Sequence, residues 1–150
     1  MVRHKNRYIV IELKEFDKNK EGPLHIHAAA VHGAIIRSVQ HLHGDFGVAA
    51  IRAGFVAKYC NPQTKIAVIR ARHGPHKLVA SALPYIKNVD SDQVHVITLY
   101  MGATMRHCYN FIKNFQQKKF DDYCCKLKTD EEKEQLKKAM LNMDTVLSIG

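Results

Sequence analysis

Apolar positions along the chain recur first every second residue, then every third or fourth, and the two spacings take turns. Residues 8–16 set Ile9, Ile11 and Leu13 on one side against Tyr8, Val10, Glu12 and Lys14 on the other, which predicts a strand. After a polar turn over residues 17–23, Leu24, Ala28, Val31, Ile35, Val39 and Leu42 form a helical stripe about five turns long, and Gly44 is placed to end it. Alternation resumes over residues 48–60, with Ile51, Ala53, Phe55, Ala57 and Tyr59 opposed to Arg52, Gly54, Val56 and Lys58. Asn61-Pro62-Gln63-Thr64 has the proline of a type I or II turn at its second position, so residues 65–72 read as the return strand of a hairpin, with Arg70 and Arg72 on one side.

The second half repeats the scheme. Leu78, Val79, Ala82, Leu83 and Ile86 predict a short helix over residues 76–86 despite Pro84, and residues 94–101 form another strand. Gly102 separates it from a helix over residues 104–117. That helix carries Thr104, Cys108, Phe111, Ile112 and Phe115 on one side, with Arg106 and Lys113 on another. Thr129 followed by Glu132 matches a capping box and starts a last helix.

The order is β-α-β-β-α-β with C-terminal helices. It predicts an α+β protein of the ferredoxin-like or RRM-like plan, an antiparallel sheet with helices on one face. Residues 1–128 are expected to form one domain, with residues 129–150 a helix packed on it or extending from it. If Ile9, Ile11, Leu13, Ile51, Phe55 and Tyr59 face the helices, parity sends Lys14, Arg52, Lys58, Arg70 and Arg72 to the other face. Tyr8 and Tyr100 could join them there, a pairing of charge and rings suited to nucleic acid. The third strand, Ile66-Ala67-Val68-Ile69-Arg70-Ala71-Arg72, lacks the aromatic signature by which RRMs stack bases. Backbone and shape recognition of structured RNA fits better.

Charge strengthens that expectation. The 150 residues hold 23 Lys and Arg against 14 Asp and Glu, a formal net charge of +9. Residues 129–150 carry five acids and three bases, so the positive excess belongs to the body of the chain. Such a body attracts polyanions, with an affinity that falls as salt rises. Clustering makes phosphate the favoured partner over plain solvation: Arg3, His4, Lys5 and Arg7 share one N-terminal arm, and Arg70 and Arg72 share one strand face. The apolar stretch Tyr8-Ile9-Val10-Ile11 is too short for a signal-peptide core, and no run approaches a membrane span, so an intracellular protein with no membrane partner is expected. Cys60, Cys108 and the adjacent Cys124 and Cys125 include no Cys-x-x-Cys pair and read as reduced thiols.

Catalytic patterns are missing. Ten histidines form no His-Glu-x-x-His motif or Cys/His quartet, and His73-Gly74-Pro75-His76 reads as an exposed polar loop, so no metal site is expected. Ser81 lies in Ala80-Ser81-Ala82 without a nucleophile elbow, and no phosphate loop occurs. Asp45, Asp90 and Asp92 could hold Mg²⁺ only if the fold gathered them. No residue is expected to act as a catalytic group.

Six segments in register also resemble a known family. They are Met1-Val2-Arg3-His4-Lys5-Asn6-Arg7-Tyr8, Gly44-Asp45-Phe46-Gly47, Lys58-Tyr59-Cys60-Asn61, Ile69-Arg70-Ala71-Arg72, Ser81-Ala82-Leu83-Pro84-Tyr85-Ile86 and Gly102-Ala103-Thr104-Met105-Arg106. In order and spacing they are similar to the Pop-five family of protein subunits of eukaryotic ribonuclease P and ribonuclease MRP, over roughly residues 1–115. Two departures are Gly102-Ala103-Thr104, where relatives commonly have Gly-Gly-Thr, and Gly74-Pro75, in a loop that is usually charged and aromatic.

The resemblance implies a ferredoxin-like subunit without catalytic side chains. The large RNA of the complex, with Mg²⁺, would cleave the 5′ leader of precursor tRNA, and the same chain would serve ribosomal RNA processing through ribonuclease MRP. It implies as neighbours the catalytic RNA, nearby precursor tRNA, a thirty-kilodalton TIM-barrel-like subunit and a large scaffold subunit, in nucleus and nucleolus, with no cofactor on the chain itself. The proposed RNA contacts are Arg3, Lys5, Arg7, Arg52, Lys58, Arg70, Arg72, Arg106 and Lys113. A basic protein–protein adaptor that touches no RNA is the alternative, and a free-standing nuclease a distant third.

Overall fold

β1 (Asn6–Glu15) is the central strand, hydrogen-bonded on both sides. In the computed structural model, the described residues are 4–16, 26–125 and positions 131, 134, 135 and 138; they fall into two compact units, Met1–Cys108 and Tyr109–Gly150. In the first unit β1 is followed by α1 (Ala28–Arg52), β2 (Val56–Asn61), β3 (Ile66–Arg72), α2 (His76–Ala82), a 3₁₀ turn (Leu83–Tyr85), β4 (Asn88–Val89) and β5 (Asp92–Gly102). The sheet order is β2-β3-β1-β5-β4, every neighbouring pair antiparallel. With the two-residue β4 set aside, this is the ferredoxin-like arrangement that the periodicity predicts.

One face of the sheet meets α1 and α2. Ile9, Ile11 and Leu13 from β1, Ala67, Ile69 and Ala71 from β3, and Val94 and Val96 from β5 enclose a core with Val31, Ile35, Val39, Ile51, Val79 and Leu83. Burying each Ile, Leu or Val side chain contributes about 1.5–3 kcal/mol, which fixes the strand register, since a one-residue slip would expose the whole set.

Three expectations need correction. The first helix starts at Ala28 rather than Leu24, since Ile26 is buried in a non-helical approach and His27 is an extended N-cap. Gly44 does leave helical geometry, at φ 65° and ψ −162°, but the chain re-enters the helix at once and continues to Arg52. Residues 48–52 are therefore helix, not strand. Ile51 and Phe55 are four apart, a spacing that satisfies both periodicities, so alternation alone could not separate them. Beyond the kink the backbone of Gly47 packs so closely on His43 that a Cβ there would collide with His43 Cβ.

The third correction concerns the other face of the sheet. Bulges interrupt β2 between Ala57 and Tyr59 and the β1–β5 pairing at Val10/Ile11, leaving Lys58 and Leu99 as extra residues. Tyr59 pairs with Val68, not with the helix-facing set, and its buried hydroxyl accepts a 3.0 Å hydrogen bond from Asn61 Nδ2. Val10, Glu12, Ile66 and Val68 are buried on the same side. This face is apolar through its middle rows, not an open basic platform.

The last element is α3 (Met105–Cys124), longer than the predicted helix. Thr104 Oγ1 accepts from His107 N–H at 3.3 Å and caps it, and Cys108 is buried in its first turn with its thiol donating to the Tyr8 carbonyl at 3.6 Å. Within the second unit, Phe111 and Phe115 stack at 6.0 Å, and Lys119 Nζ sits 4.7 Å from the Phe115 ring centre. The capping box at Thr129 and Glu132 lies outside the described residues.

Candidate functional site

Register places the basic residues at one end of the sheet. Val56, Arg70, Tyr8 and Gly102 form a single row across β2, β3, β1 and β5, and Arg72 pairs with Asn6 just beyond it. At this end β1 begins, β3 and β5 finish, and α1 terminates at Arg52 before the chain enters β2. Lys5, Arg7, Arg52, Arg70, Arg72 and Arg106 therefore converge from four different stretches of sequence. Among the described residues of the first unit, the carboxylates lie elsewhere. Glu12 and Glu15 stand further along β1, 3.8 Å from Lys14 and 3.3 Å from Lys65, Asp90 and Asp92 flank the β4–β5 turn, and Asp45 sits by the α1 kink.

The side chains at this end are held to different degrees. Arg52, Lys5 and Arg106 are exposed. Arg7 is half-buried and its Nη1 donates to the Asn6 carbonyl at 3.1 Å. Arg72 is half-buried and lies across Gly54, whose φ of +97° a side chain would strain. Arg70 is half-buried as well, with its Nε enclosed and without a hydrogen-bond partner, so its guanidinium stem is part of the packing and only its outer nitrogens are candidates for a ligand.

Of the other proposed contacts, Lys58 falls apart from the cluster. Lys58 is exposed at the β2 bulge, two residues in from the terminal row on the edge strand. Lys113 is exposed on the part of α3 that belongs to the second unit, and Arg3 lies outside the described residues. Arg52 reaches the cluster from a helix end, not from the strand face that alternation predicts. Tyr8 is in the terminal row, while Tyr100 pairs with Val10 two rows further in.

The His73-Gly74-Pro75-His76 segment, which the sequence reads as an exposed polar loop, also stands here. The His73 and His76 rings face each other at 5.2 Å, tilted by 32°. His73 N–H donates to the Lys5 carbonyl at 2.8 Å, tying the β3–α2 loop to the start of β1. His76 is buried, not an exposed loop residue, and its Nδ1 accepts from Gly74 N–H at 3.0 Å. Burial lowers its pKa below the usual 6.5, helped by His73, Arg7 and Lys77, while a hydrogen bond to the Arg72 backbone opposes them. No group of three or more His, Cys, Asp or Glu side chains gathers as a metal site among the described residues.

Taken together, the sheet order and the carboxylate-poor end define a basic α+β domain with a cationic pole. Residues 7–113 match the Rpp14/Pop5 family, and the chain belongs to it. It is 31% identical to the ribonuclease P/MRP protein subunit POP5 of Danio rerio, over all of this chain and 91% of that protein. The POP5 subunit of Bos taurus is 32% identical over 79% of this chain and 71% of its own length. A chain in the cryo-EM structure of yeast ribonuclease MRP has the same fold, with a TM-score of 0.51 over 83% of this chain and 98% of that one at 15% identity.

Proposed function

We propose that this chain is a non-catalytic protein subunit of the ribonuclease P and ribonuclease MRP ribonucleoproteins and lays its cationic pole against their RNA. Family membership and the POP5 relatives support the place in the complex. The observation that carries the RNA contact is the convergence of Lys5, Arg7, Arg52, Arg70, Arg72 and Arg106 at an end from which the first unit's described carboxylates are absent. Cations set apart from the first unit's described carboxylates are suited to phosphate, which they position by point charge and by the two-pronged guanidinium contact. In this reading the RNA and its Mg²⁺ perform the cleavage of precursor tRNA and of ribosomal RNA precursors. The protein stabilises the fold of the RNA core in the nucleus and nucleolus, beside the thirty-kilodalton and scaffold subunits.

Affinity purification of the chain followed by sequencing of bound RNA tests the proposal. Recovery of ribonuclease P and MRP RNA is expected, together with footprint protection that disappears in Arg52→Glu/Arg106→Glu, two exposed positions whose reversal leaves packing alone. Recovery of the protein partners with no RNA protection would favour the adaptor reading instead.

A further inference from the structure

The His73-Gly74-Pro75-His76 loop is tied to the cationic pole by one hydrogen bond and held in shape by two more. His73 N–H reaches the Lys5 carbonyl, Lys77 N–H the Gly74 carbonyl at 3.2 Å, and Gly74 N–H the ring of His76. Gly74, at φ +102° with open space around its Cβ position, supplies the left-handed turn that aims its N–H back at His76. The groups facing the His76 ring are the Arg7 side chain from β1, the Arg72 backbone from β3, His73 from the loop and Lys77 from α2. None is an acid.

We infer that Arg7, His73 and Lys77 form a phosphate-binding corner and that His76 behind them takes up a proton when an RNA phosphate occupies it. The inference rests on the RNA-binding reading and deepens it. Because Nδ1 accepts from Gly74, neutral His76 carries its one proton on Nε2, and a second proton must enter at Nδ1. Protonation therefore displaces the Gly74 N–H and frees a backbone donor in the loop. In the free protein burial opposes that step first, and the positive charges of Arg7 and Lys77 add to it. A phosphodiester, permanently negative, offsets those two charges and so lowers the electrostatic part of the opposition. By linkage, a site that gains a proton on binding must bind more tightly as the solution becomes more acidic. Exposed His73 and Lys77 supply donors to the phosphate, while buried His76 acts only through charge and the loop hydrogen bond.

The probe is a fluorescein-labelled hairpin RNA, titrated with the full chain at low salt and followed by polarisation. Wild type should bind about threefold to tenfold more tightly near pH 6 than near pH 7.5, since one linked proton supplies at most about tenfold per pH unit. His76→Gln, whose side-chain oxygen can still accept from Gly74, should keep the wild-type affinity near pH 7.5 and lose most of the tightening. His73→Ala/Lys77→Ala should weaken binding at both pH values. Calorimetry of the wild type in two buffers of different ionisation enthalpy should register proton uptake near pH 6.5, without reliance on any variant. Binding with no uptake, or equal tightening in His76→Gln, would overturn this inference and leave the RNA-binding reading standing. Failure of wild type to bind the hairpin at any pH would overturn both.

Discussion

Arg72 lies across Gly54: a Cβ at position 54 would stand 3.1 Å from Arg72 Cγ and 3.2 Å from its Nε. The α1–β2 turn and the end of β3 thus shape each other, and φ +97° at Gly54 is a conformation that only glycine adopts without strain. Gly54→Ala should destabilise the protein by about 1–3 kcal/mol. Thermal unfolding would show a midpoint lower by about 2–4 °C for each kcal/mol. An unchanged midpoint would mean that the turn relaxes freely.

His76 makes stability depend on pH. Its folded-state pKa is lowered, by burial first and by His73, Arg7 and Lys77 after it, so the unfolded chain takes up a proton before the folded one does. The contribution is fully present above the unfolded value of 6.5 and is lost as pH falls from there through the folded value. Urea midpoints measured from neutral pH downward should decline for wild type below about pH 6.5. His76→Gln should decline less over the same window.

Ile35 is fully buried between α1 and the sheet. Ile35→Ala should cost about 2–5 kcal/mol by lost burial and cavity formation. The denaturant midpoint should fall with an unchanged slope, which would report loss of packing without loss of cooperativity.

Thiol reactivity should divide by environment. Burial raises the pKa of Cys108 and of Cys60, while the backbone hydrogen bond involving Gly102 partly offsets it at Cys108. Cys125 is exposed. A maleimide reagent on the native protein should label Cys125 quickly and Cys108 only after unfolding, with mass spectrometry of peptides as the readout.

Much of the architecture was legible because β1, β3 and the body of β5 keep strict alternation, with Ile9, Ile11 and Leu13 marking the helix-facing side. Two local features defeated parity elsewhere. Bulges at Lys58 and Leu99 reverse the sides downstream, moving Tyr59 to the second face, and the Gly44 kink lets a helix resume where a strand was expected. Val10, Ile66 and Val68 were apolar positions on the face assigned to RNA, a visible sign that its middle was not open. The basic residues can be named from the sequence, but where they meet depends on strand order. Arg52, Arg72 and Arg106 become neighbours of one sheet end only once β5 and β3 flank β1. His76 reads as an exposed loop residue in the sequence because nothing in a histidine beside Gly-Pro signals that the Gly74 N–H holds its ring and that it is buried.

The central claim is that the cationic pole engages RNA phosphates, and the salt dependence of binding tests it most directly. Hairpin RNA affinity should be measured across a salt series for wild type and for Arg52→Glu/Arg106→Glu. Loss of two contacts should weaken binding at low salt and flatten the log–log slope by about 0.7–0.9 for each phosphate released. Identical slopes and affinities for the two proteins, with both folded, would contradict it.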